Sequence, residues 1–596
     1  MNELVSVDEL SKALKMNGTV GKKITTVLHR FMKFPVINNI YKDIYQQNAV
    51  DFLTSVLDNL GVKYEIDERE LSRIPATGAF VTVSNHPFGG LEGIILMHFM
   101  IKKRPDFKVM GNFLLHYFAP LKDSIIAVNP FEEKSSSNFA GMKGAIRHLE
   151  GNMPMGIFPA GEVSTYKLRQ GAIVDRTWQK SAIKFIKNAK VPVIPIYFEG
   201  KNSRLFNILS AIHPILRTLQ LGREMFTKKN QIIKIRIGNP IPPKKQHEFS
   251  DITQYSQFLR AKTYILGTPY EKGIAVKKKK VVVSQTPPEP VIPAVPVDVI
   301  EAELAKNKQH MLFQSSNFDL YLAPTPDIPN VMREIGRLRE ITFREVGEGT
   351  NKSIDIDNFD QYYNQLFMWD NQAKAIAGGY RIGKGKDILA SQGLDGFYVN
   401  SLFRLKKGFI PYLNEGLEMG RSFITKEYQR KPNSLFLLWK GILYTLLKNP
   451  EYRYMFGPVS ISNEFTEFSK SLIVDFIRKN HGDEELAANF KPKMPYKTVS
   501  SKRVNKDYII QQCGNDISNL DEFIKDIEYG WTSPVLMKKY LKLNAKIISF
   551  NVDPDFNNCV DGLVVSDIFD YPVETIRVFA KEFDNSILER FGYTES

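Results

Sequence analysis

Apolar residues fall into two spacings along the first half of this chain. Four short runs, AFVTVS (Ala79 to Ser84), SIIAV (Ser124 to Val128), MGIFP (Met155 to Pro159) and VPVIPIYF (Val191 to Phe198), are bounded by polar, Gly or Pro positions. Apolar runs of that length predict buried strands. Between them, FAGMKGAIRHLE (Phe139 to Glu150) and SAIKFIKNAK (Ser181 to Lys190) carry their apolar residues at the spacing of a helix with one face on a core. Strands alternating with helices predict an α/β domain.

The second half has a different order. A helical segment (Val331 to Phe343) precedes a strand pair around QAKAIAGGYRIG (Gln372 to Gly383) and a strand at GLEMGRSFI (Gly416 to Ile424). A long helix near FLLWKGILYTLLK (Phe436 to Lys448), a strand at YMFGPVSI (Tyr454 to Ile461) and a helix in FTEFSKSLIVDFIRKN follow. This succession predicts a mixed sheet rather than a parallel doubly wound one. Between the halves, Glu271 to His310 holds a lysine block and prolines at 287, 288, 290, 293 and 296. Such a segment favours an extended conformation and reads as a semi-rigid spacer. The expected layout is one α/β domain over 1–268, a Lys/Pro-rich linker over 269–311 and a mixed α/β domain over 312–596.

Composition sharpens this picture in four places. A chain of 596 residues is too long for a single core. Its two cysteines, Cys513 and Cys559, supply neither a disulfide framework nor a four-ligand metal site, which fits a reducing compartment. No apolar run of about eighteen residues and no basic-then-apolar leader occurs, so neither a spanning helix nor a signal peptide is expected. The net charge of +15 is uneven: residues 151–280 hold 24 Lys and Arg against 7 Asp and Glu, whereas residues 281–596 hold 38 against 42. The basic region calls for an anionic partner: a membrane surface, an acidic carrier protein, coenzyme A or nucleic acid.

Chemistry concentrates beside the predicted strands. NHPFGGLEG (Asn85 to Gly93) follows the first strand, and FPAGEVS (Phe158 to Ser164) continues the third. A histidine and a carboxylate in one short loop suit acyl transfer: His86 takes a proton from an alcohol while Glu92 holds the imidazole tautomer. Alone, His86 before a proline would read as an inert turn residue; the further motifs in order make it the candidate base. His116, His148 and His213 have no nearby carboxylate and read as structural.

These motifs resemble the glycerolipid (lysophospholipid) acyltransferases, especially the branch that acylates the hydroxyl of lyso-ornithine or lyso-glycine lipids. The resemblance covers residues 60 to 268 and includes IKIRIGNPIP (Ile233 to Pro242). Here His86 is followed after five residues by Glu92, where the wider family has an aspartate after four; Gly89 and Gly90 can absorb the altered path. By the resemblance, Phe158, Pro159, Gly161, Glu162 and Ser164 bind the acceptor. The family's second-motif arginine is missing from VNPFEEKSSSNF (Val128 to Phe139), which argues against a glycerol-phosphate acceptor.

After the linker, LREITFREVGEGTNKSIDIDNFDQYYNQLFMWD (Leu338 to Asp370) and LEMGRSFITKEYQ (Leu417 to Gln429) resemble the ornithine-lipid N-acyltransferases, which are similar to acyl-homoserine-lactone synthases and the GNAT fold. The resemblance implies roles in substrate binding for Arg344, Asp357, Asp360, Glu418 and Arg421. The strand from Leu417 to Ile424 is the expected thioester platform, its backbone N–H groups polarising the carbonyl where strands splay. Glu418 and Arg421, three apart in a strand, are expected on opposite faces. The sequence EYQRKPNS replaces the glycine-rich loop of coenzyme-A-dependent GNAT enzymes, which favours acyl carrier protein as donor. The family's histidine near Gln365 is absent, and no general base is assigned to this half.

Together the halves imply a bifunctional enzyme of amino-acid lipid synthesis. The C-terminal domain N-acylates ornithine or glycine with a 3-hydroxyacyl thioester, and the N-terminal domain O-acylates the resulting lyso-lipid. The co-substrate would be an acyl carrier protein thioester or acyl-CoA, with no bound cofactor or metal. The expected setting is the bacterial cytoplasm, peripheral on the inner face of the membrane, docked through the basic region and the amphipathic stretch Lys22 to Tyr45. Competing readings are a phospholipid-making acyltransferase with a regulatory second domain and a non-enzymatic membrane-binding protein, the latter disfavoured by an intact His86. A nucleic-acid binder would account for the charge but not the motifs. Relatives sometimes carry a haemolysin label, yet no lytic helix or barrel pattern is present.

Overall fold

The computed structural model describes residues 6–8, 11, 18–112, 118–128, 136–212, 214–271, 274, 287–431 and 433–580. His116, His213, the lysine block at 277–280 and most of the stretch from Val128 to Phe139 lie outside the described residues. The chain divides into two compact units. The first comprises Met1–Ala275 with Ser500–Ile509 and Glu522–Trp531; the second comprises Val276–Val499, Ile510–Asp521 and Thr532–Ser596.

The first unit is built on seven strands: β1 (Lys63–Ile66), β2 (Val81–Ser84), β3 (Lys108–Asn112), β4 (Ile125–Val128), β5 (Met155–Ile157), and, after a small hairpin of β6 (Thr165–Lys167) and β7 (Ala172–Val174), β8 (Val193–Phe198) and β9 (Ile232–Ile237). Their order across the sheet is β1-β9-β8-β2-β5-β3-β4. All neighbours are parallel except β8 and β9. Every residue of β2, β5 and β8 is buried, because helices cover both faces of a parallel sheet, so these strands read as unbroken apolar runs. Parallel neighbours end on the same edge of the sheet. The loops leaving β2 and β5 therefore meet there, and they carry the two motifs. Asn85 fixes the start of the first loop: its side chain donates to the Phe198 carbonyl at 2.9 Å and accepts from the Phe198 N–H at 2.8 Å.

The amphipathic stretch near the N-terminus is two helices, Gly18–Phe31 and Phe34–Ile44, separated at Lys33, whose φ is 60°. They leave Ile24, Val27, Phe31 and Val36 exposed, Val27 by 67%. Among the described residues no helix is long and apolar enough to cross a membrane.

The second unit is an eight-stranded mixed sheet. Its strands are β10 (Met311–Ser315), β11 (Phe318–Pro324), β12 (Asn364–Asp370), β13 (Ala375–Lys384), β15 (Gly416–Ile424), β16 (Tyr454–Ile461), β18 (Lys546–Asp553) and β19 (Cys559–Asp567); the short β14 (Phe403–Leu405) and β17 (Phe490–Pro492) pair separately. The order is β10-β11-β12-β13-β15-β16-β19-β18, antiparallel throughout except for β15 and β16. Side-chain alternation divides β12 between two cores. Phe367 and Trp369 pack with Val331, Met332 and Ile335 of the helix Pro329–Glu345, while Leu366 and Met368 pack with Leu438, Ile442 and Leu446 of the helix Ser434–Lys448.

Two sequence expectations change here. The linker over 269–311 is not a free spacer along its length. Glu289 N–H donates to the Asn351 carbonyl, Ile292 N–H to that of Ser353, and Val295 N–H to the Glu334 carboxylate at 3.0 Å. The helix Val297–Lys306 then buries Ile300 and Leu304 in the second unit's core. An extended proline-rich strand has no internal hydrogen bonds, so its remaining N–H groups are available to a neighbouring surface. The other change concerns the second domain, which does not hold all of residues 312–596, since two later segments belong to the first unit.

Within the first unit, Arg236 of β9 lies 2.7 Å from Glu70, both fully buried, and Glu70 also accepts the Ile237 N–H at 2.8 Å. Glu70→Ala strands the guanidinium without its counter-ion. The expected loss is about 3–5 kcal/mol for the first unit, read as a lower urea midpoint of that unit's transition.

Candidate active sites

In the first unit, Glu92 opens the helix Leu91–Lys103 and turns back onto the loop before it. One oxygen accepts from the N–H groups of Phe88 and Gly89, both at 2.9 Å, and the other from Gly90 at 3.2 Å. The first oxygen also lies 2.8 Å from His86 Nδ1. Burial pushes the Glu92 carboxyl upward, but His86 and the Gly89 and Phe88 N–H groups outweigh it, leaving the group ionised below the usual range. Burial likewise works against charge on His86, yet Glu92, and then Asp175, raise its pKa above the ordinary imidazole value. Because Glu92 engages Nδ1, Nε2 is the ring nitrogen left for proton transfer. Gly89 has φ 91°, and a Cβ there would strike Leu221 and Val163. The inserted glycine thus makes room for the tight path between His86 and Glu92.

The second motif packs on this pair. The Phe158 ring stands 4.8 Å from the His86 ring, centroid to centroid. The Pro159 carbonyl accepts from Gln179 N–H, and Gly161, with φ 64°, closes the turn. Glu162 is partly exposed and lies 3.1 Å from Arg176 at the rim. Ser164 is buried: its N–H donates to the His86 carbonyl at 2.7 Å and its hydroxyl to Asp175 at 2.6 Å. It braces the His86 backbone, a different job from the acceptor contact expected of it. Asp175, which the sequence reading missed, accepts the His86 N–H at 3.1 Å and the Trp178 indole N–H at 3.1 Å. Its only sequence signal is a single carboxylate between the apolar AIV of β7 and Trp178. His148 Nε2 donates to the Pro154 carbonyl, 3.0 Å away, as a structural residue would.

In the second unit, β15 and β16 pair only at Gly416–Glu418 with Tyr454–Phe456 and then separate. Gly457 lies at the parting point, where a Cβ would strike the Met419 carbonyl. Beside this splay, six side chains close a ring of alternating charge. Arg339 reaches Asp355 and Asp360, each at 2.9 Å. Arg381 reaches Asp360 at 3.4 Å and Asp357 at 2.6 Å. Arg421 reaches Asp357 at 3.1 Å and Asp355 at 3.4 Å. Burial opposes charge on Asp360, but Arg339 and Arg381 hold its carboxyl down to about 2. Asp357 and Asp360 also cap each other across the short helix Asn358–Gln361.

Arg421 has φ 49°, and the pairing of β13 with β15 slips between Gly379 and Arg381. This is a β-bulge whose left-handed position is occupied by an arginine where glycine is usual. It overturns the expected separation of Glu418 and Arg421. Glu418 pairs with Gly383, two residues along β13 from Arg381, so Glu418 and Arg381 share a face. The bulge brings Arg421 to that same face, onto the Asp357 that Arg381 holds. The Tyr398 ring lies 5.4 Å from each of the two guanidiniums. Glu418 is buried and accepts from the Tyr363 hydroxyl, from Tyr398 N–H at 3.1 Å and from Val399 N–H at 2.6 Å. Burial raises its carboxyl to about 7 despite these donors.

Arg344 stands apart from this ring. It lies 2.6 Å from Glu340 and donates to the Lys352 carbonyl, clamping the loop after its helix. Arg339, five residues earlier, belongs to the ring instead, together with Arg381 and Asp355, none of which was expected from the sequence. The signal was there: Arg339 continues the buried stripe of Val331, Met332 and Ile335, and Arg381 interrupts a wholly buried strand. Gln365, where a histidine was expected, donates to Asp360 and Thr325.

Arg339→Met removes the one cation shared by Asp355 and Asp360. The second unit is expected to lose about 3–5 kcal/mol, measured by urea unfolding.

The chain's relatives agree with this architecture. Residues 11–273 match the family model described as Acyltransferase, and residues 338–440 that of the acetyltransferase (GNAT) domain. A glycine N(alpha)-acyltransferase of Bacteroides thetaiotaomicron is 32% identical over 274 residues, 44% of this chain and 80% of that protein. A lyso-glycine lipid O-acyltransferase of the same organism is 28% identical over 273 residues, 44% of this chain and 97% of that protein. Among solved structures, the 1-acyl-sn-glycerophosphate acyltransferase of Thermotoga maritima covers 39% of this chain and 90% of its own at 14% identity, with a TM-score of 0.25. The chain belongs to the acyltransferase family of its Bacteroides thetaiotaomicron relatives, as an enzyme that transfers acyl groups and joins an N-terminal acyltransferase domain to a C-terminal GNAT domain.

Proposed function

We propose that the two domains carry out successive acylations of one amino-acid lipid. The GNAT domain joins a 3-hydroxyacyl group from a thioester to the α-amine of an amino acid, and the acyltransferase domain then esterifies the 3-hydroxyl with a second acyl chain. The observation that carries this reading is the likeness of one chain to a glycine N(alpha)-acyltransferase and to a lyso-glycine lipid O-acyltransferase. Those names favour glycine over ornithine as the head group.

In the first site, His86 Nε2 takes the hydroxyl proton as the oxygen attacks the thioester carbonyl, and Glu92 stabilises the imidazolium that forms. Collapse of the tetrahedral intermediate expels the thiolate, which recovers the proton from His86. Phe158, Pro159 and Gly161 form the wall beside His86, with Glu162 at the rim. In the second site, the amine attacks a thioester laid along the parted β15 strand. Glu418, Arg421, Asp357 and Asp360 hold the wall around Tyr398 that orients the amine. Acyl carrier protein is the favoured donor, with coenzyme A the alternative.

The lyso-intermediate prefers a bilayer by about 0.8 kcal/mol per buried CH₂. The exposed apolar residues of the first two helices and the basic balance of residues 151–280 suit work at an anionic membrane surface. Localisation on the inner membrane face follows from that reading.

Expression in a bacterium lacking amino-acid lipids tests the proposal. Wild type is expected to yield a diacylated aminolipid and His86→Ala its monoacyl form, read by mass spectrometry of total lipid. O-acylation by His86→Ala in vitro should fall about 10²–10⁴-fold. A change confined to phosphatidic-acid-derived species would instead make the protein a phospholipid acyltransferase. The pH dependence gives a second check. His86 must be neutral to act as base, and its pKa is raised, so O-acylation should climb with pH along a limb centred above the ordinary 6.5. In Glu92→Gln the limb should move to lower pH as the plateau falls.

A further inference from the structure

The first unit is not made of the N-terminal half alone. Ser500–Ile509 and Glu522–Trp531 return to it from beyond most of the GNAT domain, and their side chains reach the elements that back His86.

The helix Ile252–Ile265 lies between the two. Near its end, the Tyr264 hydroxyl accepts the Asp175 N–H at 2.8 Å, and Asp175 holds both the His86 backbone and Ser164. Lys262, two residues earlier, is buried and paired with the buried carboxylate of Asp526. Asp526 also accepts the backbone and side-chain N–H groups of Asn239 at 2.8 and 2.7 Å. Phe523 stacks edge-on against Phe258 of the same helix, ring centroids 6.0 Å apart. The other returning segment, Ser500–Ile509, acts on β8. Arg503 donates to the Tyr197 hydroxyl and to Glu199, the latter at 3.0 Å, and the Tyr197 ring packs edge-on against Tyr264 at 5.8 Å. The Ser501 hydroxyl and the Lys502 N–H both donate to Glu271, at 2.5 and 2.7 Å.

We propose that Asp526 and Arg503 are positioning residues of the His86 site: the C-terminal half completes the O-acylating domain by fixing Tyr264 and Tyr197, and through them Asp175 and the His86 backbone. The assignment rests on His86 being the O-acylation base. A helix held on one side by Asp526 and on the other by Asp175 transmits a displacement, because packed interiors deform little. Loss of a support remote from the reacting atoms lowers the fraction of productive complexes, so it lowers kcat more than it raises KM.

The test uses the full chain with the two half-reactions assayed separately. In Asp526→Asn and in Arg503→Gln, the kcat for O-acylation should fall tenfold or more, with KM and N-acylation within about twofold of wild type. Arg503→Lys, which keeps a donor for Tyr197, should recover most of the loss. Thermal unfolding is followed alongside. If Asp526→Asn does not fold, Arg503→Gln, at a partly exposed position, decides. O-acylation unchanged in Arg503→Gln, or both activities reduced equally, overturns the proposal. His86→Ala separates this failure from that of the underlying reading: full O-acylation in that variant removes the assignment of the base itself.

Discussion

The second unit depends on a closed ring of three arginines and three aspartates, each arginine shared between two carboxylates. The ring has no net charge, which is what allows it to be almost entirely buried. Ions out of water are tolerated only when each has a counter-charge. It joins four pieces of chain that are far apart in sequence: the helix Pro329–Glu345, the loop from Asp355 to Asp360, β13 and β15. A left-handed arginine in a strand costs about 1–3 kcal/mol, and the two aspartates that receive Arg421 offset that cost. The bulge in turn sets where β15 leaves β16 and so where the sheet opens.

The two sites solve the burial of charge differently. Around Glu92, a single carboxylate is matched by three backbone N–H groups and one imidazole. That arrangement leaves one ring nitrogen for chemistry and suits removal of a proton from an alcohol. Around Glu418, hydrogen bonds are plentiful but among the described residues no cation forms an ion pair with it, and its carboxyl is raised to about 7.

How much was legible in the sequence follows from how local each signal is. His86 and Glu92 share a loop, and β2, β5 and β8 are continuous apolar runs, so the first site and its sheet could be read directly. The shared face of Glu418 and Arg421 could not, because strand periodicity assumes unbroken alternation and a bulge leaves no mark unless glycine occupies it. Arg339 and Arg344 are both arginines of one helix, and only the phase of the buried stripe tells them apart. The prolines after 287 suggested a spacer, but a segment that lacks internal hydrogen bonds is also one that can dock edge-on to its neighbour. The return of residues 500–509 and 522–531 was illegible, since long-range completion of a fold has no local pattern.

That return has a consequence for the protein's synthesis. The last segment of the first unit ends at Trp531, about 250 residues after Ala275. At about 5–20 residues per second, the ribosome takes roughly 10 to 50 s to deliver it. Throughout that interval Lys262 and Arg236 lack Asp526 and the Asp526 and Ile527 carbonyls. The acyltransferase domain is thus finished late, after most of the GNAT sequence has emerged. A nascent chain interrupted between the two domains would carry His86 in an incomplete fold.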